Sequence, residues 1–155
     1  MKEKKIILVE DDPDHADLIL DIFKTEDVKS DVVLIRDGME AIDYFQEADP
    51  SNQIAQSNVE GNNGKHLQID LVILDLNLPK VDGMSILKFL KKNSRYCSIP
   101  VVILSTSSDQ RTIDEAYKNG ANGYVIKPLS YDEFVDKIKM LREYCSDKNT
   151  LPLQI

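Results

Sequence analysis

Short runs of β-branched and other apolar residues recur along the chain, and between them the apolar positions change their spacing. The runs are Ile6 to Val9, Val32 to Ile35, Leu71 to Leu74, Val101 to Leu104 and Tyr124 to Ile126. Uninterrupted runs of this length suit strands buried on both faces, as in a parallel sheet covered by helices. In the intervals apolar residues fall three and four apart, as in Ile19, Ile22 and Phe23, in Ile86, Leu87 and Leu90, and in Val135, Ile138 and Leu141. That is the helical period. Helix ends are marked as well. Asp12-Pro13 reads as an N-cap followed by proline at the first helical position. Ser130 with Glu133 reads as a capping box, and Gly120 as a helix stop. Strand and helix alternate throughout, which predicts an α/β protein with right-handed crossovers and a doubly wound, five-stranded parallel sheet.

One stretch breaks the alternation. From Asp49 to Ile69 the chain is rich in Asn, Gln, Ser and Gly, and a structureless connection of about 20 residues is unusual inside a compact domain. It reads as a polar insertion, a mobile loop or a partner surface, within a single domain over 1–146. Residues 147–155 form a tail ending in Leu151-Pro152-Leu153-Gln154-Ile155. The total of 155 residues is one domain's worth and needs no disulfide or metal to hold a core. Lys plus Arg number 19 and Asp plus Glu 27, a formal net charge of −8, which disfavours a phosphate-backbone ligand and hence nucleic acid. No apolar run reaches membrane-spanning length, and Met1-Lys2-Glu3-Lys4-Lys5 leads into too few apolar residues for a signal peptide. Cys97 and Cys145 show no metal or redox spacing. A cytoplasmic protein with no membrane or nucleic-acid partner is expected.

The polar residues at the strand ends carry the chemistry. The first strand ends in Glu10, Asp11 and Asp12, the third in Asp75, the fourth in Ser105 and Thr106, the fifth in Lys127-Pro128. Open α/β sheets bind ligands outside the carboxyl ends of their strands. Carboxylates gathered there repel unless a cation relieves them, and Mg²⁺ prefers such oxygen ligands. Glu10, Asp11 and Asp75 supply −3, and Mg²⁺ with Lys127 supplies +3, so the pocket sums to zero. Asp75 can then act as a nucleophile toward phosphorus, with the metal and Lys127 neutralising the phosphoryl oxygens and Ser105 donating a hydrogen bond.

With these residues in place the sequence resembles the response regulator receiver domains of two-component signalling. The likeness lies in Ile7-Leu8-Val9-Glu10-Asp11-Asp12, Asp70-Leu71-Val72-Ile73-Leu74-Asp75-Leu76-Asn77-Leu78-Pro79, Asp82-Gly83, Ile99-Pro100-Val101-Val102-Ile103-Leu104-Ser105 and Gly120-Ala121-Asn122-Gly123-Tyr124-Val125-Ile126-Lys127-Pro128. It implies a flavodoxin-like (βα)5 receiver with strand order 2-1-3-4-5. It makes Asp75 the phosphoacceptor, Glu10 and Asp11 the acidic pair holding Mg²⁺, and the Asn77 main-chain carbonyl a further ligand. Lys127 becomes the phosphate-contacting lysine, Ser105 the switch hydroxyl, and Tyr124 the aromatic that changes rotamer. It also implies a sensor histidine kinase or phosphotransfer protein as donor, and signalling through the face of the fourth helix, fifth strand and last helix, where a homodimer using the tail is expected. Glu10 stands where Asp is usual, and Ser105 where Thr is more frequent. The insertion and the Thr150-Leu151-Pro152 ending resemble stand-alone receivers that partner phytochrome-type kinases.

Other readings compete. Glu10-Asp11-Asp12 alone is equally a turn and N-cap cluster, and Tyr124 alone a half-buried structural aromatic. His15 and His66 have no companion ligands and read as surface residues. Gly61-Asn62-Asn63-Gly64-Lys65-His66 fails the phosphate-loop spacing, and Lys88, Lys91, Lys92 and Arg95 read as a solvated helix face. A phosphatase or phosphotransferase working through an aspartyl phosphate in the haloacid-dehalogenase-like manner would need a second Asp two residues after its nucleophile as general acid, where this chain has Asn77. A flavodoxin-like cofactor binder should offer hydroxyls rather than acids in its first loop. A non-enzymatic phosphoacceptor, with only self-catalysed phosphotransfer and dephosphorylation, fits best.

Overall fold

A computed structural model describes residues 4–24, 30–47, 69–147 and 153–154. The alternation of runs and helical spacing emerges as β1 (Lys4–Val9), α1 (Pro13–Phe23), β2 (Ser30–Ile35), α2 (Gly38–Glu47), β3 (Leu71–Asp75), α3 (Gly83–Lys92), β4 (Val101–Ser105), α4 (Gln110–Lys118), β5 (Gly123–Ile126), α5 (Tyr131–Asp147) and β6 (Leu153–Gln154). All pairings are parallel, in the order β2-β1-β3-β4-β5-β6. The expected five-strand order 2-1-3-4-5 is therefore present. The tail adds a sixth, two-residue strand, with Leu153 opposite Gly123 and Gln154 opposite Tyr124.

Strands β1 to β5 each divide their residues between two cores. Ile7, Val9, Val72, Leu74, Val101, Ile103 and Tyr124 pack with Phe45 of α2, Ile86, Leu87 and Leu90 of α3 and Ile113 of α4. Ile6, Leu8, Leu71, Ile73, Val102, Leu104 and Val125 pack with Ile19 and Phe23 of α1 and Phe134, Ile138 and Leu141 of α5. Alternate side chains point to opposite faces of a strand, which is why these runs are apolar without interruption.

The helix boundaries follow their caps. The Asp12 carboxylate accepts from the N–H groups of Asp14 and His15, with Pro13 opening α1, and Asp82 accepts from Ser85 N–H at the start of α3. Gly120, at φ 101°, stands just beyond Asn119 at the end of α4. In α5 the capping-box contact is long, Glu133 N to Ser130 Oγ at 3.5 Å. The basic stretch on α3 is not uniformly solvated. Lys91 Nζ folds back to donate to the carbonyls of Cys97 (3.3 Å) and Ile99 (2.9 Å) and to Asn122 Oδ1 (2.9 Å), so it ties α3 to the loops leading into β4 and β5. Ile69 is buried ahead of β3. The rest of the insertion, with Gly61–Lys65 and His66, and tail residues 148–152 and 155 lie outside the described residues.

Candidate functional site

Among the described residues the buried polar and charged side chains are Glu10, Asp75, Ser105 and Lys127, and all four stand at carboxyl ends of the central strands. Strand parity brings three of them together. Glu10 continues the Ile6, Leu8 alternation, Asp75 continues Leu71, Ile73, and Lys127 continues Val125, so each belongs to the face covered by α1 and α5. The register of β1 on β3, with Val9 opposite Leu74, sets the two carboxylates side by side.

Lys127 Nζ lies between them, 2.8 Å from Glu10 Oε2 and 3.2 Å from Asp75 Oδ2. The remaining oxygens meet backbone donors: Asp12 N–H reaches Glu10 Oε1 at 3.2 Å and Asn77 N–H reaches Asp75 Oδ1 at 3.0 Å. Asp11 is exposed at the mouth, and carboxylate oxygens of Glu10, Asp11 and Asp75 lie within 4.8 Å of one another. Such a set can hold a hard divalent cation. The electrostatics agree. Burial, and then the neighbouring Asp75 charge, push the Glu10 carboxyl up to about 7 against the pull of Lys127. One lysine therefore leaves the acids under-compensated, which a further cation would correct.

Ser105 and Tyr124 converge elsewhere than on the carboxylates. Ser105 Oγ accepts from Ser107 N–H at 3.1 Å, and the Tyr124 hydroxyl donates to the Ser107 carbonyl at 2.8 Å. The Tyr124 ring has no exposed surface, so it stands inward in this structure, rather than half-buried. Ser107 went unnoticed in the sequence because its part is played by its backbone. Asn77 is exposed, and its N–H is turned to Asp75.

His15 is a correction. It is not a plain surface residue: its Nδ1 lies 3.1 Å from Lys127 Nζ, and its ring stacks on Phe134 with centroids 5.0 Å apart. A signal existed, since His15 precedes the buried Ile19 by four residues and so shares its face of α1.

The family model described as the response regulator receiver domain matches residues 6–139. The "Probable methanogenesis regulatory protein FilR2" of Methanothrix harundinacea is 35% identical over 147 residues, covering 95% of this chain and 86% of that protein. Response regulator Rcp1 of Synechocystis sp. is 28% identical over 149 residues, 96% of this chain and 93% of that protein, and the crystal structure of its Mn(2+)-bound form has a TM-score of 0.79, covering 96% and 99% of the two chains. The phosphorylated cyanobacterial phytochrome response regulator RcpA has a TM-score of 0.80 at 34% identity, over 97% of this chain and 99% of that one.

Proposed function

The chain belongs to the response regulator receiver domain family, and from that membership we propose that it accepts a phosphoryl group on Asp75 from a sensor histidine kinase or phosphotransfer protein. The observation carrying this reading is the buried carboxylate pair bridged by Lys127, 2.8 Å from Glu10 and 3.2 Å from Asp75, with Asp11 at the mouth. An Asp75 carboxylate oxygen forms the new P–O bond as the donor's P–N bond breaks, and the imidazole leaves with that bond's electron pair. Lys127 supplies positive charge beside the phosphoryl oxygens, and Ser105 a hydroxyl.

The metal is Mg²⁺ in this proposal, held by Glu10, Asp11, Asp75 and the Asn77 carbonyl. The donor set fits: hard oxygens, and a Glu10 carboxyl raised by burial and then by the neighbouring Asp75 charge. When bound, the ion neutralises charge on the transferring group. The Mn(2+)-bound form of Rcp1 supports a divalent cation here. Ser105 and Tyr124 then report phosphorylation through their shared anchor at Ser107, toward the face of α4, β5 and α5. We further assign that face and the tail to a homodimer, a phytochrome-type kinase as donor, and a cytoplasmic location; no helix among the described residues is long and apolar enough to cross a membrane.

The domain is a signalling module rather than a turnover phosphatase, because Asn77 offers no titrating proton to a leaving group. Incubation with Mg²⁺ and acetyl phosphate followed by intact-mass measurement tests the assignment. Wild type should gain one phosphoryl group and Asp75→Asn none, and neither should turn over an aryl phosphate repeatedly. Full labelling of Asp75→Asn refutes it.

A further inference from the structure

The Lys127 ammonium carries three N–H donors, and three acceptors surround it: Glu10 Oε2 at 2.8 Å, Asp75 Oδ2 at 3.2 Å and His15 Nδ1 at 3.1 Å. An ammonium has no lone pair, so the third contact requires Nδ1 as acceptor and places the ring proton on Nε2. Asp12 Oδ2 at 3.6 Å and Glu10 Oε1 at 3.9 Å are too far from Nδ1 for hydrogen bonds, so the imidazole serves the lysine and not the acids. Its plane is fixed from the other side by Phe134 of α5, stacked at 27°. A rigid acceptor matters here. Lysine is a flexible stem with a freely turning head, and with only two carboxylates as partners its third N–H would turn to water at the mouth.

We propose that His15 is a positioning residue for phosphotransfer: by accepting the third N–H of Lys127 it keeps the ammonium in the gap between Glu10 and Asp75, beside the site of the incoming phosphoryl oxygens. The inference rests on Asp75 being the phosphoacceptor. A merely structural role would lie in the stacking on Phe134, and two substitutions separate the possibilities. His15→Phe keeps an aromatic ring on Phe134 and removes the acceptor. His15→Asn removes the ring and returns an acceptor, since Asn Oδ1 is as many bonds from Cβ as Nδ1.

The test measures acetyl phosphate labelling of the full chain at saturating Mg²⁺, with the maximal rate constant separated from the half-saturating donor concentration. His15→Phe should lose roughly tenfold in the maximal rate constant, the equivalent of one charge-assisted hydrogen bond, with its melting temperature held within a few degrees. His15→Asn should recover to within about threefold of wild type by restoring that bond. Wild-type rates in His15→Phe overturn the inference alone, and so does an equal loss in both variants, because the acceptor would then not be what matters. Absence of labelling in wild type overturns the function proposed above and this inference together.

Discussion

Glu10 has no exposed surface, and it faces one lysine and one further carboxylate. Its carboxyl ionises near 4.5 when unconstrained and near 7 in the folded domain. The native state therefore binds the extra proton across that window. The stability this confers is complete below about 4.5 and is lost as pH rises through about 7. In chelator, urea unfolding should show stability falling by a few kcal/mol across that range, and Glu10→Gln should remove most of that fall. Saturating Mg²⁺ should restore stability at the alkaline end. An identical slope in wild type and Glu10→Gln would assign the effect to other groups. Lys127→Ala should still bind Mg²⁺ in calorimetric titration but hold the phosphoryl group less securely, if its charge serves the phosphoryl oxygens as proposed.

At the scale of elements, the turn after β3 fixes Asp75 more tightly than its side-chain contacts suggest. Gly83 opens α3 with its N–H on the Leu76 carbonyl at 3.0 Å, and a Cβ there would stand 2.2 Å from the Asp75 carbonyl oxygen. That neighbour is backbone and cannot swing aside. Gly83→Ala should destabilise the domain by roughly 2 kcal/mol or more and slow labelling of Asp75. Asp82→Ala loses only the cap to Ser85 N–H at 2.8 Å, costs about 1 kcal/mol, and should label normally. Urea midpoints with labelling rates distinguish the two. Equal effects on labelling would show that helix stability, not the backbone contact, sets the geometry of Asp75.

At the scale of the whole molecule, the described residues build two cores from within 4–24, 30–47 and 69–147. Residues 48–68 are rich in Asn, Gln, Ser and Gly and offer little apolar surface to bury, so replacing them with a short Gly-Ser link should leave the melting temperature within a few degrees, since closure entropy varies slowly with loop length. A collapse would show that Ile54, Val59 or Leu67 packs on the core. The tail reaches the β5 edge, where Gln154 stands opposite Tyr124, so it lies against the face assigned to the dimer. Sedimentation of the full chain and of a chain cut after Asp147, with and without phosphorylation, should show association that strengthens on phosphorylation and weakens on truncation. A monomer in every state leaves the dimer without support.

The apolar runs and helical spacing determined the first five strands and the two-sided burial of β1, β3 and β4, because these depend on the period of neighbouring residues, and local residue types marked the caps at Asp12 and Gly120. The residue types at the strand ends, and the motifs they form, were enough to select Glu10, Asp11, Asp75, Ser105 and Lys127 as candidates. The pairings that local chemistry leaves open were decided in three dimensions. Lys91 could have been a solvated charge, but the loops leading into β4 and β5 present three acceptors to it. The tail could have docked anywhere apolar, and the open edge of β5 received a strand of it. His15 is alone in sequence, 112 residues from Lys127, and no local pattern links them. Only packing α1 and α5 on one face of the sheet brings imidazole, ammonium and the two carboxylates together.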